Sequence, residues 1–435
     1  MPLLAGVART RLTPPWGVEL AGWGYYLGRT WKNIRDHTAA TAVVLDDGTG
    51  VVAVVAVDLM YLDAAFTKAV RDEVARYTAI PPDAVCVSCS HSHNTPTAAL
   101  IRGAGERDAD YVAWAARQTA TAVIAAYHAR RAAILRAGCG TLSGWTINRT
   151  RDNGPVDTTL GVWRIDDERG GPMAALVNFQ GHPTIQMALG PADLSRDLPG
   201  QVTDLIEAAI PGLTALYLQG ACGDVNFDPA YLDPARCHEP GRAVAGAALG
   251  VYASARPVAS TPVKAVCRQA VLPTRHWLRD EVEAVREECE RRARTGSTDG
   301  WLDGFARVIV NDPPRLPLRY GGSVEEAVAA VARFGLEWAD ETLADLDTRP
   351  ETLAAEVQAL RVGDAFLVAN GSEFFSSLAL DLRRRWGRDL LIATFANDSI
   401  GYMPDAHDVE RKSYAAYQSP RFKGAKPSLA PQVYR

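Results

Sequence analysis

An α/β fold with a mixed β-sheet core flanked by helices is the architecture this sequence predicts. Two patterns point to it: short apolar runs rich in Val and Ala recur with turn signals between them, and helix-like stretches alternate with those runs. The strand-like runs are TAVVLDD (41–47), GVVAVVAVDLMYL (50–62), AVCVSCS (84–90), LGVWRID (160–166), MAALVNFQG (173–181) and LTALYLQG (213–220). Several are apolar at consecutive positions, the pattern of strands covered on both faces. Helical periodicity falls at 64–79, 108–131 and 198–209.

Beyond residue 222 the pattern changes. A Pro- and Gly-bearing loop (227–241) leads to a charged helix at 277–296, a Pro-rich link DPPRLPLRY (312–320) and a second helical stretch at 323–347. Strand-like runs resume at 357–371 and 390–398. The expectation is one catalytic domain over 1–435 carrying a helical insertion at about 274–350.

Composition narrows the function classes. A chain of 435 residues with 47% hydrophobic content can bury a sizeable core. Net charge is −5 and the Lys and Arg residues are spread along the chain, so no nucleic-acid partner is expected. No run approaches the ~20 apolar residues of a membrane span, so no integral membrane segment is expected either. The start, MPLLAGVARTRLTPP, lacks the apolar run of a secretory signal, which predicts a cytoplasmic protein. Seven cysteines without paired spacing read as reduced thiols, and Cys86 and Cys89 form a CxxC in name only, because residues three apart on a strand face opposite ways.

The chemistry is concentrated in few residues. His91 and His93, in SCSHSHNTP, are two apart at a strand end; if the strand persists, both rings project from one face toward one point, as metal ligands do. His182, in NFQGHPTIQM, repeats that placement at another strand end. Asp197, in LSRDLPG, has two readings: acceptor from a ligand imidazole or cap of the following helix. Glu373 directly follows the run AFLVANGS and is either a carboxylate ligand or a first-turn helix residue. Tyr402 follows the strand-like IATFA closely, where a phenol oxygen either ligates or packs.

Taken together and in order, these segments resemble the catalytic domain of the neutral/alkaline, non-lysosomal ceramidase family and its shorter bacterial relatives. TRLTPPWGVELAGWG resembles that family's opening TPP…GxG segment, SHSHNTP its HTHSGP motif, and INRT (147–150) its NRS motif. GHPT, ADLSRDLPG, QGACGDVN, Gly-Ser-Glu at 371–373 and Asn-Asp…Gly-Tyr at 397–402 follow in family order. The resemblance implies a zinc-dependent hydrolase of amide (N-acyl) bonds working through a metal-activated water. One Zn2+ per chain would be bound by His91, His182, Glu373 and Tyr402. His93 would shuttle protons, Arg149 would face the substrate carbonyl or a carboxylate, and Tyr414 would donate to the scissile carbonyl, with Tyr417 as its competitor.

Two departures shape the expectation. Asn226 stands where the family has a serine, which excludes a seryl intermediate there and leaves an amide able to donate to an oxyanion. No C-terminal β-sandwich domain or secretion signal is read, which turns the expected substrate from ceramide toward a smaller N-acyl compound. Three other readings stay open: a TIM-barrel amidohydrolase, a metal-dependent lyase, isomerase or acyl-transfer enzyme, and a metal-stabilised binding protein. Oligomeric state is not legible.

Overall fold

The computed structural model describes residues 2–22, 28–300, 322–387 and 389–422. The Pro-rich link at 312–320 lies outside these residues.

The first half of the core is built from β1 (Leu4–Arg11), β3 (Ala39–Asp46), β4 (Val51–Val57) and β5 (Val85–Cys89), with a short β2 (Asn33–Ile34) beside it in sequence. The second half is built from β6 (Arg131–Thr141), β8 (Thr159–Asp167), β9 (Pro172–Phe179) and β11 (Thr214–Gln219). They form one sheet in the order β11-β9-β8-β6-β1-β3-β4-β5. The β4/β5 and β9/β11 pairs are parallel and the other pairs antiparallel, so the sheet is mixed and the all-parallel TIM barrel does not apply.

Within the sheet the two halves join where Leu4 and Ala5 pair with Ala132 and Arg131. About this junction the sheet folds over, and β11 lies against β3, β4 and β5. Side-chain alternation shows the consequence. Trp163, Ile165, Ala174, Leu176, Leu216 and Leu218 share a core with the first half, whereas Leu160, Val162, Ala175, Val177, Ala215 and Tyr217 face a second core. Helices α1 (Ala64–Tyr77) and α2 (Ala109–His128) cover the first half; α3 (Asp197–Ala209) and α4 (Glu239–Ser254) cover the second. Both faces of the central strands are therefore buried, which is why they read as continuous apolar runs.

A second sheet follows the order β14-β15-β16-β18, from β14 (Val263–Pro273), β15 (Thr352–Val362), β16 (Ala365–Asn370) and β18 (Leu390–Ala393). Between β14 and β15 lie α5 (Arg279–Thr295) and α6 (Val324–Asp345), packed on each other with Trp277 against Trp338. The sheets are stitched together at their carboxyl ends. Thr394 N donates to Gln219 O at 2.9 Å, Ile392 N donates to Asn178 Oδ1 at 3.0 Å, and Ser88 forms a bridge with Ala396. Among the described residues no helix is long and apolar enough to cross a membrane.

Candidate metal centre

The site is assembled where the chain leaves β4, β5, β9 and β11. Strand β5 stops at Cys89, so His91 and His93 do not sit on a continuing strand as the spacing suggested. Instead the chain turns at His91, whose φ of 61° is left-handed and costs an ordinary residue about 1–2 kcal/mol. Hydrogen bonds impose that turn: Ser90 N donates to Val57 O at 2.9 Å, His91 N to Leu59 O at 3.1 Å, and Ser92 Oγ to Ser195 O at 2.7 Å. His182 follows the end of β9 by three residues. Both histidine loops thus fall at sheet ends, the usual place for α/β sites.

Three imidazoles converge there. The Nε2 atoms of His91 and His182 are 3.2 Å apart, those of His182 and His93 3.1 Å, and those of His93 and His91 3.4 Å. His91 and His182 are fully buried and His93 is partly buried. His91 Nδ1 lies 3.0 Å from Met60 O and His182 Nδ1 lies 3.2 Å from Cys222 O. A carbonyl only accepts, so each Nδ1 carries the proton and each Nε2 presents a lone pair. Two such nitrogens cannot hydrogen-bond each other. Burial and the nearby Arg149 cation hold His182 well below its ordinary pKa, which keeps it in the neutral, ligating form.

The trio fits a metal ion. Tetrahedral zinc with Zn–N bonds of about 2.0–2.1 Å has ligand-to-ligand edges of roughly 3.3–3.4 Å. The observed edges run from 3.1 to 3.4 Å. Gly22 makes room on the outer side: a Cβ there would lie 2.7 Å from His93 Nδ1.

Glu373 and Tyr402 are brought together by a short parallel pair, β17 (Ser372–Phe374) and β19 (Gly401–Met403), in which they are register partners. Glu373 is buried and accepts from the Tyr61 hydroxyl, and the Tyr402 hydroxyl also hydrogen-bonds it. Arg149 Nη2 donates to the Tyr402 hydroxyl and to Gly223 O, each at 2.8 Å, so its guanidinium is a prop for the phenol as well as a half-buried cation. Burial pushes the Tyr402 phenol well above its ordinary pKa, against the pull of Arg149. Gly223 is required by close approach, since a Cβ would meet Glu373 O at 2.5 Å.

The remaining expectations separate. The Tyr414 ring lies 5.7 Å from that of Tyr402, while Tyr417 packs against Trp277 of the insertion with Arg275 over its ring. Asn226 sits on β12 (Val225–Phe227), opposite Ile147 of β7 (Thr146–Asn148), with its Oδ1 buried. Asp197 accepts from the backbone N–H groups of Ile185, Gln186 and Leu198 rather than from an imidazole. It ties the loop after His182 to the first turn of α3, where its φ is 56°. Cys86 and Cys89 are separate buried thiols.

Two participants were missed in the sequence. Phe395 stacks on His91 at 3.9 Å, and Tyr61 contacts the same ring edge-on at 4.9 Å while bonding Glu373. The signal for Tyr61 was its place just after the buried strand β4, beside Asp58; Phe395 lay hidden in an apolar run.

No protein-family model matches the chain, and no curated protein matches it. Among solved structures it is similar to the neutral ceramidase from Pseudomonas aeruginosa, at 14% identity and a TM-score of 0.70, over 100% of this chain and 72% of that one. It is also similar to a ceramidase complexed with C2, at 16% identity and a TM-score of 0.71, over 100% of this chain and 73% of that one. Over its whole length, the chain carries the neutral-ceramidase fold.

Proposed function

We propose that this protein is a zinc-dependent hydrolase that cleaves the amide bond of a small or lipid-like N-acyl substrate. The observation that carries this reading is the convergence of the Nε2 atoms of His91, His93 and His182 within 3.4 Å in a largely buried site, two of them lone-pair nitrogens by the carbonyl contacts of their Nδ1 atoms. The ceramidase names of its structural neighbours support an amide as the bond cut.

In this reading His91, His182, Glu373 and Tyr402 hold one cation. The carbonyl-anchored Nδ1 atoms of His91 and His182 favour them as ligands, because ligating imidazoles characteristically donate their other N–H. When bound, such a cation lowers the pKa of a water to about 7 and polarises a carbonyl. His93, the more exposed imidazole, takes the proton of the attacking water and passes it to the leaving nitrogen. Arg149 holds the Tyr402 phenol in place and brings positive charge to the side where oxyanion charge grows. Tyr414, and Asn226 from β12, are the neutral donors on that side, a role in which one donor is typically worth about 3–4 kcal/mol.

A second ligand reading is favoured by the edge lengths of 3.1 and 3.4 Å to His93 Nε2, which suit a third coordinating imidazole. His93→Ala separates the two. Full zinc content with lost turnover supports the proton-carrier role, and loss of zinc supports ligation. Turnover itself is sought on N-acyl amines, N-acyl amino acids and short ceramide analogues. Zinc-loaded protein that hydrolyses none of them, while catalysing elimination, isomerisation or acyl transfer, would overturn the hydrolase assignment.

A further inference from the structure

The segment Leu59-Met60-Tyr61, where the chain leaves β4, touches both halves of the proposed ligand set. Leu59 O accepts from His91 N at 3.1 Å, and Met60 O lies 3.0 Å from His91 Nδ1. The next residue, Tyr61, turns the other way: its hydroxyl donates to Glu373 Oε1, while its ring meets His91 at 4.9 Å and Phe395 at 5.9 Å. Tyr61 is itself fixed, since Ala98 N donates to its carbonyl at 2.8 Å and its side chain is buried to 5% exposure. Three consecutive residues therefore set the tautomer and direction of one proposed ligand and the direction of another.

We propose that Tyr61 is a positioning residue of the metal centre: its hydroxyl holds one carboxylate oxygen of Glu373, which aims the other at the cation and keeps the carboxylate from rotating. This rests on the proposed ligand role of Glu373. The physical case is that a buried carboxylate must be hydrogen-bonded to stay ordered and ionised. A donor fixed by packing restricts its rotation before any cation arrives, so less freedom is lost on binding. Tyr61 touches neither substrate nor cation, and its hydroxyl acts only through Glu373.

Zinc affinity of the metal-free protein, titrated with Zn2+ alone against a competing chelator, tests it. Tyr61→Phe keeps the ring packing on His91 and Phe395 and removes only the hydroxyl. Expected is a 10- to 100-fold weaker zinc affinity, with the Tm of the metal-free protein little changed. Glu373→Gln should weaken zinc at least as much, and adding Tyr61→Phe in that background should change affinity less than about threefold, because the residue it acts through is gone. Unchanged zinc affinity in Tyr61→Phe would overturn the proposal, as would a full and additive loss in the Glu373→Gln background. If Glu373→Gln alone binds zinc as tightly as wild type, the ligand role of Glu373 has failed, and the role of Tyr61 with it. Should Tyr61→Phe not fold, Tyr61→Trp, which retains an aromatic ring and an N–H donor, must bind zinc more tightly than Tyr61→Leu; equal affinities refute the hydroxyl-donor role.

Discussion

His91 and His182 face each other with Nε2 atoms 3.2 Å apart while both Nδ1 atoms point at backbone carbonyls. The carbonyls of Met60 and Cys222 thus leave two facing lone pairs, an arrangement that a cation relieves and a hydrogen bond between these two rings does not. Replacing either ring should be costly in the same way. His91→Ala and His182→Ala are each expected to lose bound metal and at least 10³-fold in kcat/KM, about 4 kcal/mol of transition-state stabilisation, as read by metal analysis and steady-state kinetics. Activity retained in either variant contradicts the centre.

Arg149 bridges Tyr402 and Gly223 O with a planar fork. Lysine carries the charge but not the fork. Arg149→Lys is therefore expected to keep zinc and to lower kcat by about 10²–10³-fold. A variant with wild-type kcat would show that the fork is dispensable.

The depressed pKa of His182 has a sign that can be measured. An unfolded histidine takes up its proton near pH 6.5, whereas buried His182 resists it to well below that. Below pH 6.5 the unfolded state binds more protons, so this residue makes the metal-free protein lose stability as pH falls, by up to about 1.4 kcal/mol per pH unit. Asp58, Asp197 and Asp224 act oppositely: burial raises each to about 6, so between pH 6 and 4 the native state takes up protons and gains stability. Denaturation of wild type and His182→Gln in parallel isolates the histidine, and the difference between their stabilities should shrink as pH falls from 6.5 toward 5. A difference independent of pH would refute the assignment.

Gly223 lies against the backbone of Glu373, which cannot give way as a flexible side chain would. With a Cβ 2.5 Å from Glu373 O and 2.9 Å from the Phe375 ring, Gly223→Ala should cost about 1–3 kcal/mol of stability. It should also weaken metal binding by displacing Glu373, whereas Gly246→Ala, where a Cβ meets nothing within 4 Å, should do neither. Chemical denaturation and zinc titration of both variants give the comparison.

The central strands were legible because burial on both faces leaves an unbroken apolar run, as in VVAVVAV of β4. β14 was not, since VKAVCRQAVLP alternates with charged and polar residues on a half-exposed strand; its existence is decided by pairing with β15. β6 was not read as a strand, and the helical pattern at 108–131 ran into its first residue, Arg131, which pairs with β1. The histidines were legible as metal-ligand types at strand ends. Their common destination was not, because it depends on a fold-over fixed at Leu4 and Ala5, far away in sequence. Glu373 and Tyr402 meet through a three-residue parallel pairing too short to leave a periodic signal.

The zinc content of the protein, purified without chelator and measured per chain, tests the central claim most directly. Close to one zinc per chain is expected, removable by chelation with loss of activity and restored together with it on adding Zn2+. Less than ~0.2 zinc or comparable metal per chain, with no activity regained on adding metal, would contradict it.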